Sequence, residues 1–218
     1  MKLLAVITAR AGSKRLKNKN LTLLNKKPLI YWTIKLAQKI SEIKKIVIST
    51  DSSKILNVSR KYGLKTNWLR PKKIAKDNST SEEVVKHAYL KEKEEGFNAD
   101  AIILLQPTSP FRNLKLIKKA IKIFKKNPKI PLISVSELKY NNKILALSKK
   151  KLFLLRNQKK IFLPNGSVFI IDSKQAYKSK NYLEMKMNFI VFDRIKENID
   201  IDTKQDLLLS RVLYKINI

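Results

Sequence analysis

The chain has 218 residues, 48 Lys+Arg against 17 Asp+Glu, a formal charge of +31 and no cysteine. That length suits one α/β domain with a small insertion. The absence of cysteine excludes a disulfide framework and a thiolate metal site and fits a reducing cytoplasm, and no apolar run reaches the roughly 20 residues of a membrane-spanning helix. The charge alone would suit a nucleic-acid partner. However, the lysines are spread along the whole chain and are not interleaved with aromatics as in RNA-binding motifs. Abundant Lys, Ile and Asn are what an AT-rich genome over-supplies, so nucleic acid is not the expected partner. A positive field of this size still attracts small anions.

Residues 3–8 form an apolar run followed directly by Arg10, Lys14 and Arg15, with no cleavage region. This reads as a buried first strand and not as a signal peptide. Residues 29–40 repeat apolar positions at helical spacing, 46–50 read as a strand ending at Asp51, and 53–62 read as a helix that Gly63 can cap. A short strand is predicted over 65–69. Ser79 and Glu82 have capping-box spacing and open a helix to about Glu95. Residues 101–105 are a continuous apolar strand of the parallel-sheet kind, 114–126 a helix and 132–135 a strand. The basic stretch 139–162 breaks the rhythm and reads as a β-rich excursion suited to a dimerisation arm. Strands are expected over 167–171 and 188–192, and a last helix over 203–215. The alternation predicts a three-layer, Rossmann-like α/β fold with a mostly parallel sheet. In such sheets ligands bind beyond the carboxyl ends of the strands.

The segments after those strands carry the chemistry. The loop from Thr8 through Leu21, which includes Arg10, Gly12, Ser13, Lys14, Arg15, Lys17 and Lys19, places cations and a glycine after a buried strand. Such a loop can cradle a polyphosphate, although it can also be a solvated basic turn. It matches neither the Walker A pattern nor Gly-x-Gly-x-x-Gly. In Gln106-Pro107-Thr108-Ser109-Pro110-Phe111-Arg112 two prolines fix the backbone and present Gln106, Thr108 and Ser109 rigidly. In Ile199-Asp200-Ile201-Asp202-Thr203, read as extended, both carboxylates would point to one side. Together with phosphate oxygens they suit Mg²⁺, while Asp202 or Thr203 could equally cap the last helix. His87, the only histidine, lies in a helical pattern and reads as structural; Trp32 and Trp68 read as core, and Asp51 as organising the loop beside it.

Five segments, in order, resemble those of CMP-sialic acid synthetases and related acylneuraminate cytidylyltransferases. They are the Thr8–Leu21 loop, Arg70-Pro71 with Asp77-Asn78-Ser79-Thr80-Ser81, the Gln106–Arg112 string, Pro164-Asn165-Gly166-Ser167-Val168-Phe169-Ile170, and Ile199–Thr203; the likeness spans residues 4–208. The resemblance implies a nucleotide-diphospho-sugar transferase fold and a cytoplasmic, Mg²⁺-dependent enzyme. It would transfer CMP from CTP to the anomeric hydroxyl of a sialic-acid-like 2-keto sugar, releasing pyrophosphate and activating the sugar for surface glycan synthesis. It implies Arg10, Lys19 and Asp202 as catalytic, and Arg10, Ser13, Lys14, Asn20, Arg70, Ser79 and Ser81 as nucleotide-binding. Gln106, Thr108, Ser109, Asn165 and Gly166 would bind the sugar, Asp200 and Asp202 the metal, and a homodimer would form through 139–162. The related Kdo enzymes carry a metal-binding aspartate where this chain has Thr108, which argues against Kdo as acceptor. The chain departs from the pattern at Arg15, Lys17 and Tyr140-Asn141-Asn142, and at Leu163, where the sialic acid branch has an arginine for the sugar carboxylate. Lys143 or Arg156 is the expected substitute, and another nonulosonic acid such as legionaminic acid remains an open acceptor. The alternatives are a basic nucleic-acid-binding protein and a non-catalytic member of the family.

Overall fold

In the first strand Leu3, Ala5 and Ile7 alternate with Leu4 and Val6, and all five are fully buried. Alternate residues of a strand face opposite sides, so both faces of this sheet must be covered. The computed structural model describes residues 1–138, 144–148, 151–155 and 160–216, the two middle segments by backbone alone. Its elements are β1 (Leu3–Thr8), β2 (Leu23–Leu24), β3 (Lys27–Pro28), α1 (Leu29–Gln38), β4 (Ile43–Ser49), α2 (Ser53–Lys61), α3 (Ser81–Glu94) and β5 (Ala101–Leu105). There follow α4 (Leu114–Lys126), β6 (Leu132–Glu137), β7 (Ile144–Ser148), β8 (Lys151–Leu155), β9 (Phe162–Asp172), α5 (Ser173–Lys178), β10 (Asn188–Val191) and α6 (Lys204–Lys215).

Six strands form one sheet in the order β10-β6-β9-β5-β1-β4. β9 runs antiparallel to both its neighbours, and the other pairs are parallel. One face packs Ile30, Ile34, Ile55, Ile117 and Phe124 from α1, α2 and α4 against Leu3, Ala5, Ile7 and Ile103. The other packs Val85 and Ala88 of α3 and Ala176 of α5 against Leu4, Val6 and Ile102. The expected three-layer α/β fold is borne out. The chain leaves β1 for β4 on one side and returns across it to β5 on the other, so a crevice opens beyond the carboxyl end of β1. Separately, β7 and β8 pair antiparallel as a two-stranded sheet.

Three local expectations are corrected. Residues 65–69 form no strand. They run beside the edge strand β4, but Thr66 meets it through its side chain, Oγ1 accepting the Ile48 N–H at 3.0 Å, and the Trp68 indole donates to Glu92 at 2.8 Å. Side-chain bonds of this sort cover the edge without building a ladder. The capping box of α3 is Thr80 with Glu83, not Ser79 with Glu82: Thr80 Oγ1 accepts the Glu83 N–H at 3.2 Å, and Glu83 accepts the Thr80 N–H at 3.0 Å. Finally, Ile199 to Thr203 is not a strand. It follows a 3-10 turn at Ile195–Asn198 and is held by one backbone bond, Ile201 N–H to Thr108 O at 2.8 Å.

Ile201 is fully buried in a third apolar cluster with Leu16, Leu24, Leu29 and Leu207, against which Trp32 and Tyr214 pack. This cluster fastens α6 and the segment before it to the loop after β1 and to the β2–β3 hairpin. Among the described residues no helix is long and apolar enough to cross a membrane.

Candidate active site

The crevice beyond β1 is a cavity of about 510 Å³. Its walls carry five cationic side chains, Arg10, Lys14, Arg15, Lys19 and Arg70, and two carboxylates, Asp77 and Asp202. The loop after β1 is shaped by three contacts. Asp51, at the end of β4, accepts the Ala11 N–H at 2.8 Å, which is the organising role expected of it. Asn20, 4% exposed, donates to Arg10 O at 2.9 Å. Leu16 anchors the loop in the third apolar cluster.

The cations are paired across the cavity. Asp77 takes Arg10 at 2.6 Å and Lys14 at 2.5 Å, and hydrogen bonds from Lys14 and Arg10 hold its carboxyl below the usual carboxylate range. Asp202 takes Lys19 at 2.5 Å and also Arg15. Arg70, 5% exposed, donates to the side chain and the carbonyl of Ser49, and its own N–H donates to Thr50 O at 2.7 Å. Burial pulls its pKa down to about 10, with Asp51 opposing and Arg10 adding to the shift, so it stays charged at neutral pH.

Ser79, Thr80 and Ser81 place the amino end of α3 on the same wall. Unsatisfied N–H groups and the helix dipole favour anions there. Ser79 spends its hydroxyl locally, accepting the Lys76 N–H at 3.0 Å. On the opposite wall Gln106 and Thr108 follow β5, and the hydroxyl of Thr108, 8% exposed, has no partner among the described residues.

A second cavity of about 230 Å³ adjoins the first and shares Ser81 and Gln106 with it. Gly166 lines it with φ +68, and a Cβ there would meet Gln106 Oε1 at 3.1 Å. Glycine is therefore needed both for the backbone and for the side chain beside it.

Of the residues singled out from sequence, Arg10, Ser13, Lys14, Lys19, Asn20, Arg70, Ser79, Ser81, Gln106, Thr108 and Asp202 line the large cavity, and Gly166 lines the small one. Ser109, Asn165 and Asp200 line neither. Asn165 is engaged inside the protein: Ser134 donates to its Oδ1 at 2.5 Å, and its Nδ2 donates to Ser136 and Asn198, each at 3.1 Å. Asp200 is exposed, while Ile201 between the two aspartates is fully buried. Lys143 and Arg156 lie outside the described residues.

Arg112 was overlooked as a functional residue. It is 7% exposed and donates to Ser167 O and Ser109 O, both at 2.5 Å, to Thr33 Oγ1 at 3.1 Å, and to Gln106 O. Burial lowers its pKa to about 9, partly opposed by Asp200, so the guanidinium remains charged and fixes the carbonyls of the Gln106 string. Its place in that string was the available signal. The small cavity's Tyr182 and Leu183 had none, since only the fold brings them to Gln106.

A cationic cavity at the switch point of a doubly wound sheet, with two carboxylates on its wall, suits a nucleotide polyphosphate. The chain belongs to the cytidylyltransferase family, whose model matches residues 4–215. It is 37% identical to CMP-N,N'-diacetyllegionaminic acid synthase of Legionella pneumophila, over 100% of this chain and 98% of that one. It is 30% identical to pseudaminic acid cytidylyltransferase of Campylobacter jejuni, with the same coverage, and 31% identical to N-acylneuraminate cytidylyltransferase of Escherichia coli, over 96% of this chain and 51% of that one. Among solved structures, a CMP-2-keto-3-deoxy-manno-octonic acid synthetase complexed with CTP superposes with TM-score 0.75 at 15% identity, covering 99% of each chain. A 4-diphosphocytidyl-2C-methyl-D-erythritol synthase from Anaerococcus prevotii superposes with TM-score 0.72 at 15% identity, covering 99% and 96%. These two establish the fold alone.

Proposed function

We propose that the protein transfers CMP from CTP to the anomeric hydroxyl of a nonulosonic acid, a sialic-acid-like 2-keto sugar, in the cytoplasm. The observation that carries this reading is the five-cation cavity at the amino end of α3, next to a smaller cavity that shares Gln106. The names of the relatives supply the acceptor class.

In this reading Arg10, Lys14, Lys19 and backbone N–H groups near Ser13 hold the triphosphate, with Asn20, Arg70 and the Ser79–Ser81 turn around the nucleoside. The anomeric oxygen attacks the α-phosphorus and gives up its proton to water or to the departing pyrophosphate, and the bond from the α-phosphorus to the bridging oxygen breaks. Pyrophosphate leaves with the electron pair, its charge met by Arg10 and Lys19. Most of the acceleration is positioning and charge neutralisation. Gln106, whose backbone carbonyl is held by Arg112, lines both cavities and would orient the acceptor.

Asp202 suits Mg²⁺: one carboxylate on the cavity wall, completed by substrate phosphate oxygens, is a common way of holding that ion. Bound there, Mg²⁺ would withdraw charge from the phosphates. Asp202 is the residue that would hold it, while Asp200 would have to act from outside the cavity. The Asp202 carboxylate is paired with Lys19 and Arg15, so a metal held there would compete with these cations, which could turn to the phosphates instead. The homodimer expected of the family, with 139–162 as its arm, belongs to the same proposal.

The test is mass spectrometry of mixtures of protein, CTP, Mg²⁺ and, in separate tubes, N-acetylneuraminic, legionaminic, pseudaminic and Kdo acids. A CMP-sugar is expected with a nonulosonic acid and not with Kdo. Asp202→Asn should keep its circular dichroism spectrum and lose about two orders of magnitude in turnover. Normal turnover in that variant would remove Asp202 from the mechanism.

A further inference from the structure

Both oxygens of the Asp202 carboxylate are taken. Lys19 pairs with Oδ1 at 2.5 Å, and Arg15 pairs with Oδ2. The residue itself is firmly mounted. Ile201 before it is fully buried and donates its N–H to Thr108 O at 2.8 Å. The N–H groups of Asp202 and Thr203 donate to Asp206 Oδ2 at 3.0 and 2.7 Å. Any exchange of partners at this carboxylate therefore falls to the cations.

The two cations differ in how freely they can leave. The Lys19 side chain is 17% exposed, and its backbone opens the 3-10 turn Lys19–Leu21, in which Asn20 is buried. The Arg15 side chain is 69% exposed and stands on the loop between β1 and that turn. Water and salt screen an exposed ion pair, and side-chain entropy opposes it, so breaking one costs roughly several-fold or less in an equilibrium. A partly buried pair is screened less. Arg15 is the partner that yields. It also has somewhere to go, because it lines the same cavity as Arg10, Lys14 and Lys19, and a guanidinium can grip two phosphate oxygens at once. Mg²⁺ needs an oxygen of Asp202 and is repelled by a cation already seated on it.

Resting on the cytidylyltransferase reading above, we propose that Arg15 is a further phosphate-binding residue that trades places with the divalent ion. It neutralises Asp202 in the arrangement seen here and turns to the outer phosphates when nucleotide and metal enter. Arg15 and the metal are alternative partners of one carboxylate oxygen. Lys19, with three N–H donors, keeps its bond to the other oxygen and reaches phosphate as well.

This exchange has a thermodynamic signature. Without metal, losing Arg15 removes an attraction for the triphosphate and uncovers the repulsion of Asp202. With Mg²⁺ bound, the ion itself covers Asp202 and the phosphates, and losing Arg15 also removes its competitor. The two losses must differ.

The experiment measures CTP affinity by calorimetry, once in EDTA and once in saturating Mg²⁺, for the wild-type chain, Arg15→Ala and Arg15→Lys. Arg15 is exposed, so neither replacement disturbs the core. Arg15→Ala is expected to weaken metal-free CTP about tenfold and CTP with Mg²⁺ about twofold or less, so the gain in affinity on adding Mg²⁺ rises about fivefold. Arg15→Lys, which keeps the charge without the fork, should recover part of the metal-free loss. A merely structural role would lower both affinities alike and leave their ratio unmoved. Equal losses in the two buffers, no loss in EDTA, a larger loss in Mg²⁺, or no recovery in Arg15→Lys would each overturn the exchange while leaving CTP recognition standing. No CTP binding by the wild-type chain in either buffer would overturn the proposed function and this inference with it.

Discussion

Asp77 shows what a single side chain does to this site. In the string Asp77-Asn78-Ser79-Thr80-Ser81 the resemblance implies nucleotide binding by Ser79 and Ser81, and nothing in the spacing marks the aspartate. The structure sets its carboxylate between Arg10 and Lys14, two of the cations assigned to the triphosphate. In the proposed binding mode CTP displaces that carboxylate to reach them. Asp77→Asn is therefore expected to tighten CTP several-fold by calorimetry at low salt, with CMP, which lacks the outer phosphates, changing little. Weaker CTP binding in this variant would mean that the carboxylate positions the cations instead of competing for them. Asn165 teaches the reverse lesson. Its Asn-Gly string was legible, but its amide satisfies Ser134, Ser136 and Asn198 and never reaches a cavity, whereas Gly166 beside it does.

At the scale of elements, the third apolar cluster joins parts of the chain nearly 200 residues apart, Leu16 and Leu24 at one end and Ile201 and Leu207 at the other. That contact brings Asp202 to Lys19. Leu24→Ala, at a fully buried position, should cost about 2–5 kcal/mol in urea unfolding. It should also weaken CTP binding, because the loop after β1 loses its anchor. A loss of stability with unchanged CTP affinity would uncouple the cluster from the loop. The final helix was readable from Thr203 onward, and Thr203 does cap it in a box with Asp206. Because Thr203 caps α6, the Asp202 side chain is left for the cavity. The expected strand before α6 was wrong because Ile201 answers to the cluster, not to a ladder.

For the whole molecule, the +31 charge is a field more than a site. With a cavity lined by five cations, it should speed the encounter with CTP, and the association rate should fall by about tenfold or more from low to high ionic strength. Stopped-flow measurements across a salt series would check this. A salt-independent rate would mean that the charge is spread too evenly to steer. A nucleic-acid-binding role would instead require affinity for duplex or single strands that survives physiological salt and does not depend on Asp202.

The sequence by itself determined the class of fold, through the alternation of buried strands with amphipathic helices. It also marked the segments that line the large cavity, because the loops after β1 and β5 carry a basic run and a double-proline string whose chemistry is local. What only the tertiary structure decided depends on packing between distant segments. Asp202 faces the cavity and Asp200 does not, Asp77 pairs with Arg10 and Lys14, Arg112 clamps the Gln106 string, and an apolar pocket forms from residues as far apart as Ser81 and Leu183. Such choices follow from which side chains the core buries, and burial is a property of the assembled layers that no single stretch of sequence contains.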